Sequence, residues 1–416
     1  MSMDKHLKAI LESICAESHK LTNCGIYYAR QLYFKTHKII GKFDLEKEYK
    51  NNKHYQVLSS QAAQQILRSI AESFKSFKEL NQKYRKGELT DEPHLPKYIK
   101  KEGLFLVTYP KQALKWVDNQ IGIPLGKTVK QWFGLDSFYL PMTYNLRFQE
   151  IKELRILPRN HCFYVEFVYG SKPVEIEVNP DNVLGLEPGL NNWLTGVSSL
   201  GTSFVIDGRH LKSVNRWYHK QVATLKEGKP QGFWSTQLAK ITEKRNRQIR
   251  DAVNKAARLV INHCLEHQRN KDQKREGNLG KKNHQSFVSI PTAKLKERIR
   301  QLWEQCGIKF IETEESYTSK ASFLDNDSPP KFGEKTEGWQ PSGKRTKRGL
   351  YRTAQNQYIN ADANGAANII RKVSTTLNFD LSRVSRGVLT RPQKFKCWSA
   401  KKTRSLLRIL RHLWVG

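Results

Sequence analysis

The stretch Val183-Leu184-Gly185-Leu186-Glu187-Pro188-Gly189 decides the fold of this 416-residue chain. A short apolar run closed by Pro-Gly reads as a buried strand, and this one delivers an acid, Glu187, at its carboxyl end. Two more strands follow, Trp193 to Ser198 and Thr202 to Ile206, with Asp207-Gly208 as a turn. Beyond them Thr236 to His267 is a long helix, in which Leu238, Ile241, Ile249, Val253, Ala256, Ala257, Val260 and Ile261 recur at helical spacing. Its other face carries Lys240, Lys244, Arg245, Arg247, Arg250, Lys255 and Arg258, candidates for phosphate contact because cations there greatly outnumber acids. A helix from Thr292 to Cys306 comes next, then a strand from Ile308 to Ile311 that leads into Glu312 to Ser316. Last is a helix near Asn364 to Val373, preceded by Asp362.

Toward the amino terminus the pattern changes twice. Ile151 to Ile156, Cys162 to Tyr169 and Val174 to Val178 are rich in β-branched and aromatic residues. Pro158-Arg159-Asn160 and Gly170-Ser171-Lys172-Pro173 separate them, so an antiparallel β module is expected. Before it, residues 6–37 and Gln61 to Leu80 have apolar side chains at helical spacing, Ile66, Ile70, Phe74 and Phe77 among them, with Ser59-Ser60 as candidate caps. The carboxyl-terminal Leu381 to Gly416 holds ten Lys/Arg and no acid. It reads as a nucleic-acid-facing or poorly ordered tail.

Composition narrows the function. Lys and Arg number 72 against 39 Asp and Glu, a net charge of +33 that excludes an ordinary neutral metabolic enzyme and makes nucleic acid the natural partner. An anionic membrane is the lesser rival. The 38% hydrophobic content suffices for cores, and the six cysteines form no CxxC pair, so a reducing compartment is expected. No run approaches the roughly 18 to 20 apolar residues of a membrane span. MSMDKHLKAI lacks a secretory layout, so the expectation is a cytoplasmic, nucleoid-associated protein.

The order of elements from 183 onward resembles the RuvC-like, RNase H-fold nuclease domain of the transposon-encoded TnpB (OrfB) family, relatives of the type V CRISPR effectors. Four segments carry the resemblance. They are Gly185 to Asn192, where the family shows GxDxGxxN; Glu243 to Arg250; Glu315-Ser316-Tyr317-Thr318-Ser319-Lys320; and Asn360-Ala361-Asp362-Ala363-Asn364-Gly365-Ala366-Ala367-Asn368-Ile369. The resemblance implies an α+β and α/β multidomain chain. Residues 1–135 would be a helical recognition lobe and 136–182 a β-barrel-like wedge module. Residues 183–375 would form the RuvC-like domain, with an inserted loop 320–355 in place of a zinc ribbon, and 376–416 the basic tail. It also implies an RNA-guided DNA endonuclease, often labelled transposase, whose partners are a guide RNA from the transposon end, target DNA and a separate transposase. Two-metal hydrolysis needs converging carboxylates on Mg²⁺ or Mn²⁺ ions about 3.5 to 4 Å apart. By resemblance Glu187, Glu315 and Asp362 would be catalytic and hold the metal.

Three departures bear on activity. The family's first acid is Asp. Glu187 is longer by a methylene, about 1.5 Å, and a misplacement near 1 Å costs about a hundredfold in rate. Between Leu265 and Phe287 the only aliphatic residue is Leu279, where relatives have an apolar strand at the middle of the sheet. A missing central strand is therefore expected, and the second acid with it; Glu315 stands where some relatives, including Fanzor proteins, place a rearranged glutamate. The zinc-binding CxxC is replaced by Ser322 and Asp325, so no zinc is expected. These departures leave open a nuclease-defective RNA-guided DNA binder or a decayed copy.

Blander readings compete at several positions. Glu187 reads also as a solvated strand end, Asp362 as a helix cap, and Glu243 with Arg247 as an intrahelical pair. His263 and His267 lie four apart on the long helix, a spacing that can bind metal, but no carboxylate or third ligand is arranged nearby and the bland reading is preferred. Trp217, Trp234, Trp303 and Trp339 are assigned to packing, although single tryptophans also stack on bases. The tail segment Ser405 to Val415 is an amphipathic basic helix, assigned to partner or nucleic-acid docking and not to a membrane.

Overall fold

The computed structural model describes residues 4–100, 103–142, 146–160, 162–170, 182–266, 275–281, 291–334, 337–377 and 379–397. The strand expected at 174–178 and the helix expected at 405–415 lie outside them. The chain divides into two compact units, 1–171 and 172–416.

In the first unit, helices α1 (Lys5–Thr36), α2 (Lys42–Tyr49), α3 (Lys53–Val57) and α4 (Ser60–Arg85) precede strands β1 (Val107–Pro110), β2 (Lys115–Val117) and β3 (Gln120–Pro124). Helix α5 (Lys127–Phe133) and strands β4 (Ser137–Pro141), β5 (Ile151–Arg159) and β6 (Cys162–Tyr169) follow. Asp4 caps α1, its carboxylate accepting from the backbone N–H groups of His6 and Leu7. The expected apolar stripe of α4, Ile66, Ile70, Phe74 and Phe77, is buried. Ser59 takes the N-cap position without a side-chain capping bond. The sheet β1-β5-β6 shares one core with these helices. In a second sheet, β2-β3-β4, the strands β2 and β3 lie where helix alone was expected, and β4 falls in the expected β module. The signal for β2 and β3 was the two-residue turn Asp118-Asn119, both residues at positive φ, as a tight hairpin requires.

The second unit is built on the quoted strand. It contains β7 (Asn182–Pro188), β8 (Asn192–Ser198), β9 (Thr202–Asp207), α6 (Arg209–Lys226), α7 (Thr236–Glu266), β10 (Arg275–Lys281), α8 (Thr292–Gln305) and β11 (Lys309–Glu314). Then come a small sheet of β12 (Lys344–Lys347), β13 (Leu350–Arg352) and β14 (Tyr358–Asn360), α9 (Ala361–Leu377), α10 (Arg386–Thr390) and β15 (Gln393–Phe395). The main sheet runs β11-β10-β7-β8-β9-β15. β7, β8 and β9 pair antiparallel, while β10 is parallel to both β7 and β11.

The expected absence of a central strand is overturned. Arg275-Glu276-Gly277-Asn278-Leu279-Gly280-Lys281 fills the place between β7 and β11. A ladder is made of backbone N–H and C=O groups, which a polar segment supplies as well as an apolar one. β11 also runs further than expected, so Glu312 lies within it, paired with Lys296 at 2.6 Å and with Arg300. Residues 386–397, expected as tail, supply α10 and the edge strand β15.

Side chains alternate across β7. Leu184 and Leu186 enter a core with Ile249, Val253, Val260, Leu295 and Ile299 of α7 and α8. Val183 packs with Ala363, Ala366, Ala367 and Ile370 of α9. Gly185 lies on the α9 side, where a β-carbon would stand 2.3 Å from the Ala366 carbonyl oxygen and 2.6 Å from Ile370 Cγ1. Among the described residues no helix is long and apolar enough to cross a membrane.

Candidate functional site

Alternation puts Glu187 on the same side of β7 as Gly185, facing α9. The residue is 5% exposed, which sets aside a solvated strand end, and its Oε2 is closed to solvent. Its Cδ lies 3.3 Å from where a β-carbon on Gly365 would stand. A side chain at 365 would press on this carboxylate, which glycine leaves in place.

Asp362 sits in the first turn of α9. It is not the cap: Asn360 Oδ1 accepts from the N–H groups of Asp362 and Ala363, both at 3.0 Å. The Asp362 carboxylate instead points away from its own helix. Oδ2 accepts from Asn192 Nδ2 at 2.7 Å, and Oδ1 from Arg345 Nη2 at 2.9 Å. Asn192 closes the quoted motif, and Arg345 comes from β12 in the inserted segment.

Glu315 follows β11 and opens a turn. Its carbonyl oxygen accepts from Thr318 N at 3.2 Å and from Thr318 Oγ1 at 2.9 Å, with Tyr317 at φ 64°. Both carboxylate oxygens are closed to solvent. Buried Asn368 of α9 donates to the carbonyls of Thr318 at 2.9 Å and Ala321 at 2.7 Å; buried Asn364 donates to Ala321 at 2.7 Å and accepts from Phe323 N at 2.9 Å. One helix thus supports all three acids: Asp362 belongs to it, Glu187 lies against Gly365, and the Glu315 turn is tied to Asn368. Sequence reasoning named the acids and missed these supports.

Carboxylates are the right donors for Mg²⁺, but their arrangement does not fit one. Among the described residues no group of three or more His, Cys, Asp or Glu side chains stands so as to hold a metal ion. Both Asp362 oxygens are already engaged, one of them by the Arg345 guanidinium.

At the replaced zinc positions, Ser322 Oγ donates to Asp325 Oδ2 at 2.6 Å, and Asp325 Oδ2 also accepts from Ala354 N at 2.8 Å. Asp327 accepts from the N–H of Ser322 at 2.7 Å and that of Ser342 at 3.0 Å. Hydrogen bonds through two aspartates therefore tie together the two sides of the inserted loop.

The expected basic residues of α7 sort by environment. Lys240, Lys244, Arg247 and Arg250 are exposed, Arg247 lying 4.0 Å from buried Glu243. Lys255 pairs with Asp251 at 2.7 Å. Arg245 donates to buried Asn215 at 2.8 Å, and burial lowers its pKa; burial does the same at Arg258, partly offset by nearby Cys306. His263 packs edge-on against Phe204 and hydrogen-bonds Thr202 at 3.0 Å, while His267 lies outside the described residues. The packing assignment holds for Trp303, which is fully buried; Trp217 and Trp234 correct it, at 42% and 43% exposed. Half-buried Trp339 donates to the Ser328 carbonyl.

Residues 166–270, from the end of β6 through α7, match the OrfB_IS605 family model, described as a probable transposase. Over this segment the chain is similar to the OrfB family. That segment contains Glu187 and the α6–α7 pair, and it stops before Glu315 and Asp362. Two solved structures are similar along most of the chain. A Cas12f1–sgRNA–target DNA complex covers 88% of this chain and 82% of its own at 12% identity and a TM-score of 0.45. A CRISPR-Cas12f ternary complex gives the same coverages at 13% identity and a TM-score of 0.33. No curated protein matches the chain.

Proposed function

We propose that this chain is a transposon-associated, RNA-guided DNA-binding protein of the OrfB type. The observation that carries the reading is the OrfB segment itself, whose residues 209–250 hold eleven Lys/Arg against two acids within a chain of net charge +33. A surface of that sign holds phosphate backbones without reading sequence, which suits a protein whose target is chosen by base pairing with a guide. A guide RNA from the transposon end and a target DNA would be its partners, and a RuvC-like reading of 183–375 is consistent with the mixed sheet.

A second reading, metal-dependent DNA cleavage, is favoured by one observation: Glu187, Glu315 and Asp362 share α9 as their support. The engagement of Asp362 by Arg345 and Asn192, and the longer side chain at 187, favour binding over cutting. The test is plasmid cleavage with Mg²⁺ by protein copurified with its transposon-end RNA, beside Asp362→Ala, with RNA-dependent DNA binding recorded in the same samples. RNA-dependent binding in both proteins, without cleavage, is expected. Cleavage abolished by Asp362→Ala would establish the second reading, and absence of RNA-dependent binding would overturn both.

A further inference from the structure

α6 and α7 are tied together by Tyr218 with Thr242 at 3.1 Å and Arg245 on Asn215 at 2.8 Å, each helix burying apolar residues (Leu211 and Val214, Leu238 and Ile249), and their outer surface is charged. An isolated exposed apolar side chain on such a surface needs no explanation. Two tryptophans, each with a lysine ammonium against its ring, are a different case. Lys244 Nζ lies 5.5 Å from the Trp217 ring centroid, and Lys226 Nζ lies 5.9 Å from that of Trp234. Next to Trp234, Lys229 stands 5.8 Å from the Phe233 ring. Each pair offers a π-face and a positive charge a few ångströms apart, the spacing at which a nucleotide carries its base and its phosphate.

The strip also leads somewhere. In the first turn of α6, Lys212 Nζ donates to Asn191 Oδ1 at 3.3 Å, and the next residue, Asn192, donates to Asp362. A strand laid along α6 would therefore end at the acids. Stacking on indole needs an unpaired base, so the surface suits a single strand and not a duplex. An acidic protein would be attracted by the lysines but has no use for two indole faces.

Resting on the DNA-targeting reading above, we propose that the α6–α7 pair is a docking surface for single-stranded DNA. Bases stack on Trp217 and Trp234, and Lys226, Lys244 and the neighbouring cations hold the phosphates.

The experiment uses the full chain freed of RNA. Fluorescence anisotropy follows its binding to labelled oligo(dT), oligo(rU) and a duplex of equal length. Trp217→Ala and Trp234→Ala should each weaken oligo(dT) binding about tenfold, with duplex binding unchanged. Trp217→Phe and Trp234→Phe should keep most of the affinity, because phenylalanine still stacks. Lys244→Ala should lower the salt slope by about one charge. Wild-type oligo(dT) affinity in both alanine variants overturns the proposal, as does an equal loss on duplex. Loss confined to oligo(rU), or tighter wild-type binding of oligo(rU) than of oligo(dT), overturns the assignment to DNA; loss on both single strands with oligo(dT) bound at least as tightly supports the proposal. Because no guide is present, this result and the plasmid experiment can fail independently.

Discussion

The β7–α9 contact and the α6–α7 surface belong to one unit, yet they hold their polar chemistry in opposite ways. At the first, Gly185 leaves no room for another atom, Gly365 lies close against Glu187, and Asn364 and Asn368 are fully buried with their amides committed to carbonyls. At the second, tryptophans and lysines stand at the surface, and burial is confined to the seam beneath them. Positions of the acids are therefore set by packing, so changes there move stability and chemistry together. The basic surface can lose its ligand-facing groups while the fold persists.

Gly185→Ala should break the first region most severely. The new β-carbon meets the Ala366 carbonyl at 2.3 Å, and backbone cannot rotate aside as a side chain can. Strand and helix must part, at about 3 kcal/mol or more and a melting shift on the order of 10 °C. Calorimetry of the full chain checks this. A variant that melts like the wild type would mean that β7 does not rest on α9 as described, and the common support of the three acids would go with it.

Asn368→Ala should cost less, about 1–3 kcal/mol, because it strips the side-chain donor from the buried Thr318 carbonyl, while the Ala321 carbonyl keeps the Asn364 amide, and it adds no volume. It also sharpens the comparison. The turn that opens at Glu315 should loosen while the α6–α7 surface does not respond. Hydrogen exchange is the readout: protection should fall at residues 318–323 and stay unchanged along α7. A loss spread evenly over both regions would show that they are not separable.

The legibility of the molecule follows the same division. β7, β8, β9 and the helical stripes of α4 and α7 were readable because each element declares itself through its own apolar period. The strand β10 was not, since Arg275 to Lys281 has no such period and belongs to the sheet through backbone pairing alone. The three acids were named from short motifs, but their supports depend on contacts remote in sequence. Arg345 reaches Asp362 across 17 residues and Asn192 across 170; Asn192 stands in a quoted motif, but nothing local pairs either residue with Asp362. α6 was readable and went unread: Leu211 and Val214 stand three apart and bury one face, and its end carries Lys226. The tryptophans were misassigned because core packing is the usual fate of an indole; only the fold shows that Trp217 lies on the outer face.

Trp217→Ala carries the smallest expected effect on the fold and tests the other half of the comparison. The ring is 42% exposed, so truncation leaves no closed cavity, and what is lost is partial apolar cover and the contact with Lys244. Such a contact is worth about 0.5–1 kcal/mol at an exposed site. The whole change should stay near or below about 1 kcal/mol, a melting shift of no more than about 4 °C for a unit of this size. Thermal unfolding by circular dichroism gives the number, and the same sample gives the oligonucleotide affinity. A small melting shift beside a tenfold loss of affinity places Trp217 among groups that serve a ligand. A shift as large as that of Gly185→Ala would mean that the indole braces α6 against α7, and the contrast between the two regions would then fail.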